Sequence, residues 1–159
     1  MPLKTNDRNR DAWRRRLRRL APAVFILAVN GTASAADSPT ATLTVTFHGL
    51  KTADGSVRLA LDGDKAAFDG KSAPAGQASI AIKDGKATAV FANLAPGTYA
   101  VRAFHDRNGD GALNLNPFGI PTEPYAFSND ARGMAGPPSW SAAAFEVRAG
   151  DNAQSIAID

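Results

Sequence analysis

From Thr42 onward apolar side chains fall at every second position: Leu43, Val45 and Phe47 share one face and threonines the other. A period of two marks a half-buried strand, because successive side chains point to opposite faces. Val57, Leu59 and Leu61 continue the alternation after the turn sequence Thr52-Ala53-Asp54-Gly55, so the two runs are expected to form a hairpin. Ala78, Ile80 and Ile82 alternate up to Lys83-Asp84-Gly85-Lys86, and Ala87, Ala89 and Phe91 follow. Asp-Gly between two alternating runs is a strong hairpin signal. Residues 62–76 mix charge, glycine and Pro74 around Phe68. They read as a connection with room for a short helical turn, the phenylalanine covering one end of the core.

Leu94 then precedes Pro96-Gly97, a pair suited to a type II turn in which glycine supplies the positive dihedral. In the strand that follows, Tyr99, Val101 and Ala103 share one face, and Ala100, Arg102 and Phe104 the other. A tyrosine here is either a corner tyrosine, its hydroxyl bonded back to nearby backbone, or a ring packed at a strand end. After a long irregular region, Ala143, Phe145 and Val147 predict a strand, Ala149–Asn152 a turn, and Ile156 and Ile158 a last strand. About seven short strands without long helical periodicity predict an all-β, immunoglobulin-like sandwich.

The first 35 residues differ from the rest. An arginine-rich start, an apolar stretch from Ala21 to Val29 and small residues ending Ala33-Ser34-Ala35 form the layout of a secretory signal peptide cut after Ala35. A membrane-spanning helix would need about 20 apolar residues, more than this stretch holds. Arg14-Arg15-Arg16-Leu17 also fits a twin-arginine signal loosely. Residues 36–41 read as a frayed tail leading into one domain that runs to residue 159. The leader carries eight of the 18 basic residues and two of the 15 acidic ones, so the remainder has net charge −3. The basic character therefore belongs to the leader, and no basic patch argues for a nucleic-acid partner. With no cysteine, disulfides and thiolate metal sites are excluded.

Residues Phe91 to Trp140 carry a resemblance. "FANLAPGTYAVRAFHDRNGDG", then "GIPTEPYAFSN" and "GPPSW", resemble the bacterial secreted family catalogued as domain of unknown function 2141. The resemblance implies a sandwich similar to transthyretin-like or carboxypeptidase-regulatory modules, in which an L-x-P-G-x-Y turn feeds a strand. It also implies export to the envelope, a periplasmic or secreted location, and no catalytic residues. Members often carry aspartate where this chain has Asn114, which weakens a charged ligand set there.

Asp106, Asn108 and Asp110 at alternate positions, followed by Gly111, reproduce the first half of a calcium loop. The Ala112 carbonyl and Asn114 would continue the ligand set. Pro117 stands where an EF-hand places its bidentate glutamate, so a site needs a borrowed carboxylate. Glu123, stiffened between Pro121 and Pro124, is the first choice, and Asp130 the second. The competing reading is Asx-type turns that need no metal.

The segment 106–139 is too apolar for a disordered loop. Its aromatics either cap the open end of the sandwich or, through Tyr125, Phe127 and Trp140, form an exposed platform for a glycan or an envelope protein. His48 and His105 read as strand-end polar residues, too few for a zinc site without cysteine. Glu123 with Asp106 or Asp110 offers the one enzymatic alternative, a carboxylate pair for hydrolysis. The sequence thus predicts an exported, non-catalytic binding or structural module, with calcium as its candidate cofactor.

Overall fold

A computed structural model describes residues 40–134 and 136–158. The leader expected over residues 1–35 lies outside them. Among the described residues no helix is long and apolar enough to cross a membrane.

The alternating runs become strands β1 (Ala41–His48), β2 (Ser56–Asp62), β3 (Gly76–Ala81), β4 (Ala87–Leu94) and β5 (Gly97–Asp106). The short β6 (Tyr125–Phe127) and β7 (Phe145–Val147) follow, and β8 (Gly150–Ala157) ends the series. Two single-turn helices, α1 (Lys65–Phe68) and α2 (Trp140–Ala143), interrupt them. One sheet has the order β4-β1-β8; the other runs β3-β2-β5-β6, with β7 also paired to β5. Leu43, Val45 and Phe47 face Val57, Leu59, Leu61 and Val101 across one buried core, as a sandwich requires.

Both expected hairpins are corrected. β1 pairs with β4 and, in parallel, with β8, whereas β2 pairs with β3 and β5. The Asp84-Gly85 turn does form, with Lys83 and Lys86 exchanging main-chain bonds and both central residues at positive φ. Its strands then part into opposite sheets. Period-two burial reports which face meets the core and is silent about which strand lies alongside.

Smaller corrections follow the same logic. Ala41, expected in a frayed tail, opens β1 and is buried. Gly97 is not left-handed; Asn93 carries the positive φ before this turn instead. Ala143 ends a helical turn rather than starting a strand. Residues Gly150–Asn152 belong to β8, because an edge strand can be polar, and the Asn152 side chain folds back onto the Arg148 and Gly150 carbonyls. Tyr99 is a corner tyrosine: its buried ring places the hydroxyl 2.8 Å from the Ala95 carbonyl, to which it donates.

Phe68 does not cover an end of the main core. It packs with Ala100, Ala143, Phe127 and Trp140 on the outer face of β5, in a second small cluster. α1 is placed there by Asp64, which caps it by accepting the Ala67 N–H at 2.8 Å. One edge of β5 pairs with β7 at Gly97–Tyr99 and with β6 at Arg102–Phe104. The Val101 N–H falls in the gap between them. The fully buried Ser128 hydroxyl fills that gap, accepting from Val101 N at 2.8 Å and donating to the Ala143 carbonyl at 2.6 Å.

Candidate functional site

β5 ends by delivering Asp106 into the loop 106–123. Asp106 is fully buried, and its Oδ2 receives Arg58 Nε at 2.6 Å and Gly111 N at 3.0 Å, while Oδ1 receives Gly109 N at 2.8 Å. Loss of hydration pushes its carboxyl pKa up, but the Arg58, Gly111 and Gly109 donors outweigh that and hold it below the ordinary aspartate value. Asp110 accepts from Asn114 Nδ2, Ala112 N and Asn108 Nδ2, which lower its pKa in that order. Glu123 reaches back into the loop as the sequence suggested, taking Arg107 N on one oxygen and Asn114 N on the other.

Asn108, Asp110, Asn114 and Glu123 are therefore drawn into one network, joined at Ala112 only through its main-chain N–H, while Asp106 is held by Arg58, Gly109 and Gly111. Calcium takes six to eight oxygens converging on a point. Here each carboxylate oxygen already faces an N–H donor, and Asp106 faces a guanidinium. Among the described residues no three His, Cys, Asp or Glu side chains converge in a group that could hold a metal. As arranged, the loop's carboxylate oxygens are engaged by N–H donors and by Arg58. Asp130 stands elsewhere, in the 3-10 turn Ser128–Asp130, and accepts the Ala157 N–H. His48 is exposed on the three-stranded sheet, whereas His105 is buried in the other, its Nε2 2.7 Å from the Asp54 carbonyl oxygen.

The expected aromatic platform is divided. Trp140 stands edge-on to Phe68 at 5.7 Å between ring centres, and Phe68 meets Phe127 at 5.9 Å. Tyr125 packs against Phe127 at 6.1 Å and remains partly exposed. These rings cover the outer face of the five-stranded sheet rather than the open end of the sandwich. Phe127 and Tyr125 line a groove of about 640 Å³ on that face, together with Phe68, Phe104, Leu113 and Pro137; Trp140 does not. Its strand floor also holds Ala60, Gln77, Ser79, Arg58 and Arg102.

Both arginines lie outside the sites the sequence suggested. Arg102 Nε donates to Asp62 Oδ2 at 2.8 Å, and Nη2 reaches Asp62 Oδ1 at 3.3 Å and the Ala67 carbonyl at 3.1 Å. Arg58 and Arg102 are 40% and 36% exposed while their aspartates are fully buried, so the guanidinium edges are what the groove meets. The available signal was "RLALD" at 58–62 and "RAFHD" at 102–106, the same R-x-x-x-D spacing on two strands. Antiparallel pairing of Ala60 with Arg102 lets each arginine reach the aspartate of the other strand.

The fold and groove define a two-sheet β-sandwich module with one amphipathic outer face. Residues 45–156 match the family model described as "uncharacterized protein conserved in bacteria", DUF2141, and the chain belongs to that family. No curated protein matches the chain. Among solved structures, two crystal data sets of a pilus-presented adhesin are similar at 16% identity, with TM-scores of 0.28 and 0.26. The matches cover 76% and 77% of this chain, which spans about a quarter of the adhesin chain, 27% and 26%.

Proposed function

We propose that this protein is an exported, non-catalytic binding module of the bacterial envelope, and that its ligand occupies the groove on the outer face of β3-β2-β5-β6. One observation carries the reading: aromatic rings gather on the sheet face that ordinarily faces water, and they border a recess rather than filling it. Its volume falls in the range of about 300–1,000 Å³ common to ligand pockets. The leader pattern of residues 1–35 supports export. Hydrolysis needs a general acid and base facing the substrate. The described lining holds no aspartate, glutamate or histidine, which favours binding over catalysis. The loop 106–123 serves as a self-bonded wall of this groove through Gly111 and Leu113, with Arg58 paired to Asp106 at its base.

The test is a glycan and peptide array read with the wild-type protein and with Ala60→Trp, which fills the middle of the groove floor. Ligands lost by A60W at unchanged melting temperature support the reading. Ligands retained by A60W place binding elsewhere and overturn it.

A further inference from the structure

The groove is charged in a particular way: its described lining contains two arginines and no carboxylate. Each arginine is oriented by a fully buried aspartate that has no exposed surface of its own. Arg58 engages Asp106 through Nε alone, leaving both Nη groups without a hydrogen-bond partner among the described residues, and its guanidinium lies close against Gly111, where an added Cβ would stand 3.2 Å from Nη2. Among the described residues Arg102 keeps only Nη1 free. The Nη1–Nη2 edge of Arg58 suits a carboxylate, which accepts two parallel N–H bonds, while Arg102 offers a single charged donor nitrogen.

Register sets the spacing. Asp106 and Arg58 occupy the rows of Ser56 and Arg58, and Arg102 and Asp62 those of Ala60 and Asp62, so the centres of the two ion pairs lie about four residues, roughly 13 Å, apart along the strands. Phe104 and Ala60 lie between, with Tyr125 and Phe127 alongside. A compact anion would satisfy one end only. An extended ligand carrying carboxylates at intervals, with apolar ring faces between them, meets both ends and the floor. The floor is a sheet face, so it presents no free backbone ladder of the kind that takes up an extended peptide as an added strand.

Building on the groove reading, we infer that the ligand is an acidic glycan whose uronate carboxylates dock on Arg58 and Arg102. The probes are oligogalacturonate, the same oligomer with its carboxylates methyl-esterified, and oligoglutamate, each titrated calorimetrically into wild-type protein, Ser79→Asp and A60W. Ser79 is exposed and pairs across from Arg58, so S79D adds a carboxylate to the groove floor on the strand next to Arg58, in place of the Ser79–Ser56 hydroxyl contact, while both native aspartates stay in the chain. The expected result is that the acid oligomer binds about ten-fold or more tightly than its ester. S79D removes that difference, and A60W abolishes binding of both. Equal affinity for acid and ester, both lost in A60W, overturns the acidic ligand and leaves the groove reading standing. Oligoglutamate bound in preference to the uronate, or no binding by any probe, overturns the acidic glycan. Binding indifferent to A60W overturns the groove itself.

Discussion

Ser128→Ala tests whether one hydroxyl holds the outer cluster to β5. Val101 and Ala143 are fully buried, and Ser128 supplies the bond to each of their main-chain groups between the ends of β6 and β7. Alanine removes both bonds and leaves an N–H and a carbonyl that water cannot reach. Leaving a buried polar group unpaired costs about 1–3 kcal/mol, so losing the two bonds together is expected to destabilise by about 3 kcal/mol. For a domain of this size each kcal/mol lowers the melting temperature by about 4 °C, giving a fall of about 12 °C. The control is Ser139→Ala, an exposed cap of the single-turn α2, which should cost no more than about 1 kcal/mol. Circular dichroism melting gives the stability, and hydrogen exchange at the Val101 amide gives the locality. A fall no larger than that of the control, with exchange at Val101 unaltered, would refute the argument.

Gly55 combines φ +70° with an Asp106 carbonyl oxygen in the space a Cβ would need, so Gly55→Ala should cost about 3 kcal/mol, read by chemical denaturation. Trp140→Ala should cost about 1–3 kcal/mol by opening the cluster over Phe68 while leaving groove ligands bound, because Trp140 packs on Phe68 without lining the groove. The lowered pKa values of Asp106 and Asp110 stabilise the fold above the ordinary aspartate value, near pH 4. That stabilisation is lost as pH falls through the folded values, and melting followed downward from about pH 5 should decline less steeply in Asp110→Asn than in wild type. Millimolar calcium against chelator should leave the melting temperature unchanged; a rise of several degrees would show that the folded domain binds the metal.

The sequence by itself determined the sandwich: alternation at 43–47, 57–61 and 99–103 decided which side chains enter the core, because the strand period sends every second residue inward whatever the neighbours. It also singled out Asp106, Asn108, Asp110, Asn114 and Glu123 as one candidate ligand set, since their spacing and the prolines around Glu123 are local properties, and the structure joins Asn108, Asp110, Asn114 and Glu123 by hydrogen bonds. Tertiary structure decided the rest. Which strands lie side by side depends on where chains cross between sheets, so hairpins expected from Asp54-Gly55 and Asp84-Gly85 became crossings. The loop oxygens found N–H donors and Arg58 because a strand distant in sequence delivers the guanidinium to Asp106. Arg58 and Arg102 read as ordinary solvent-facing charges in one dimension. Only the antiparallel register of β2 and β5 converts two R-x-x-x-D runs into crossed ion pairs and gives the polar face of a sheet an arginine-lined, ring-bordered groove.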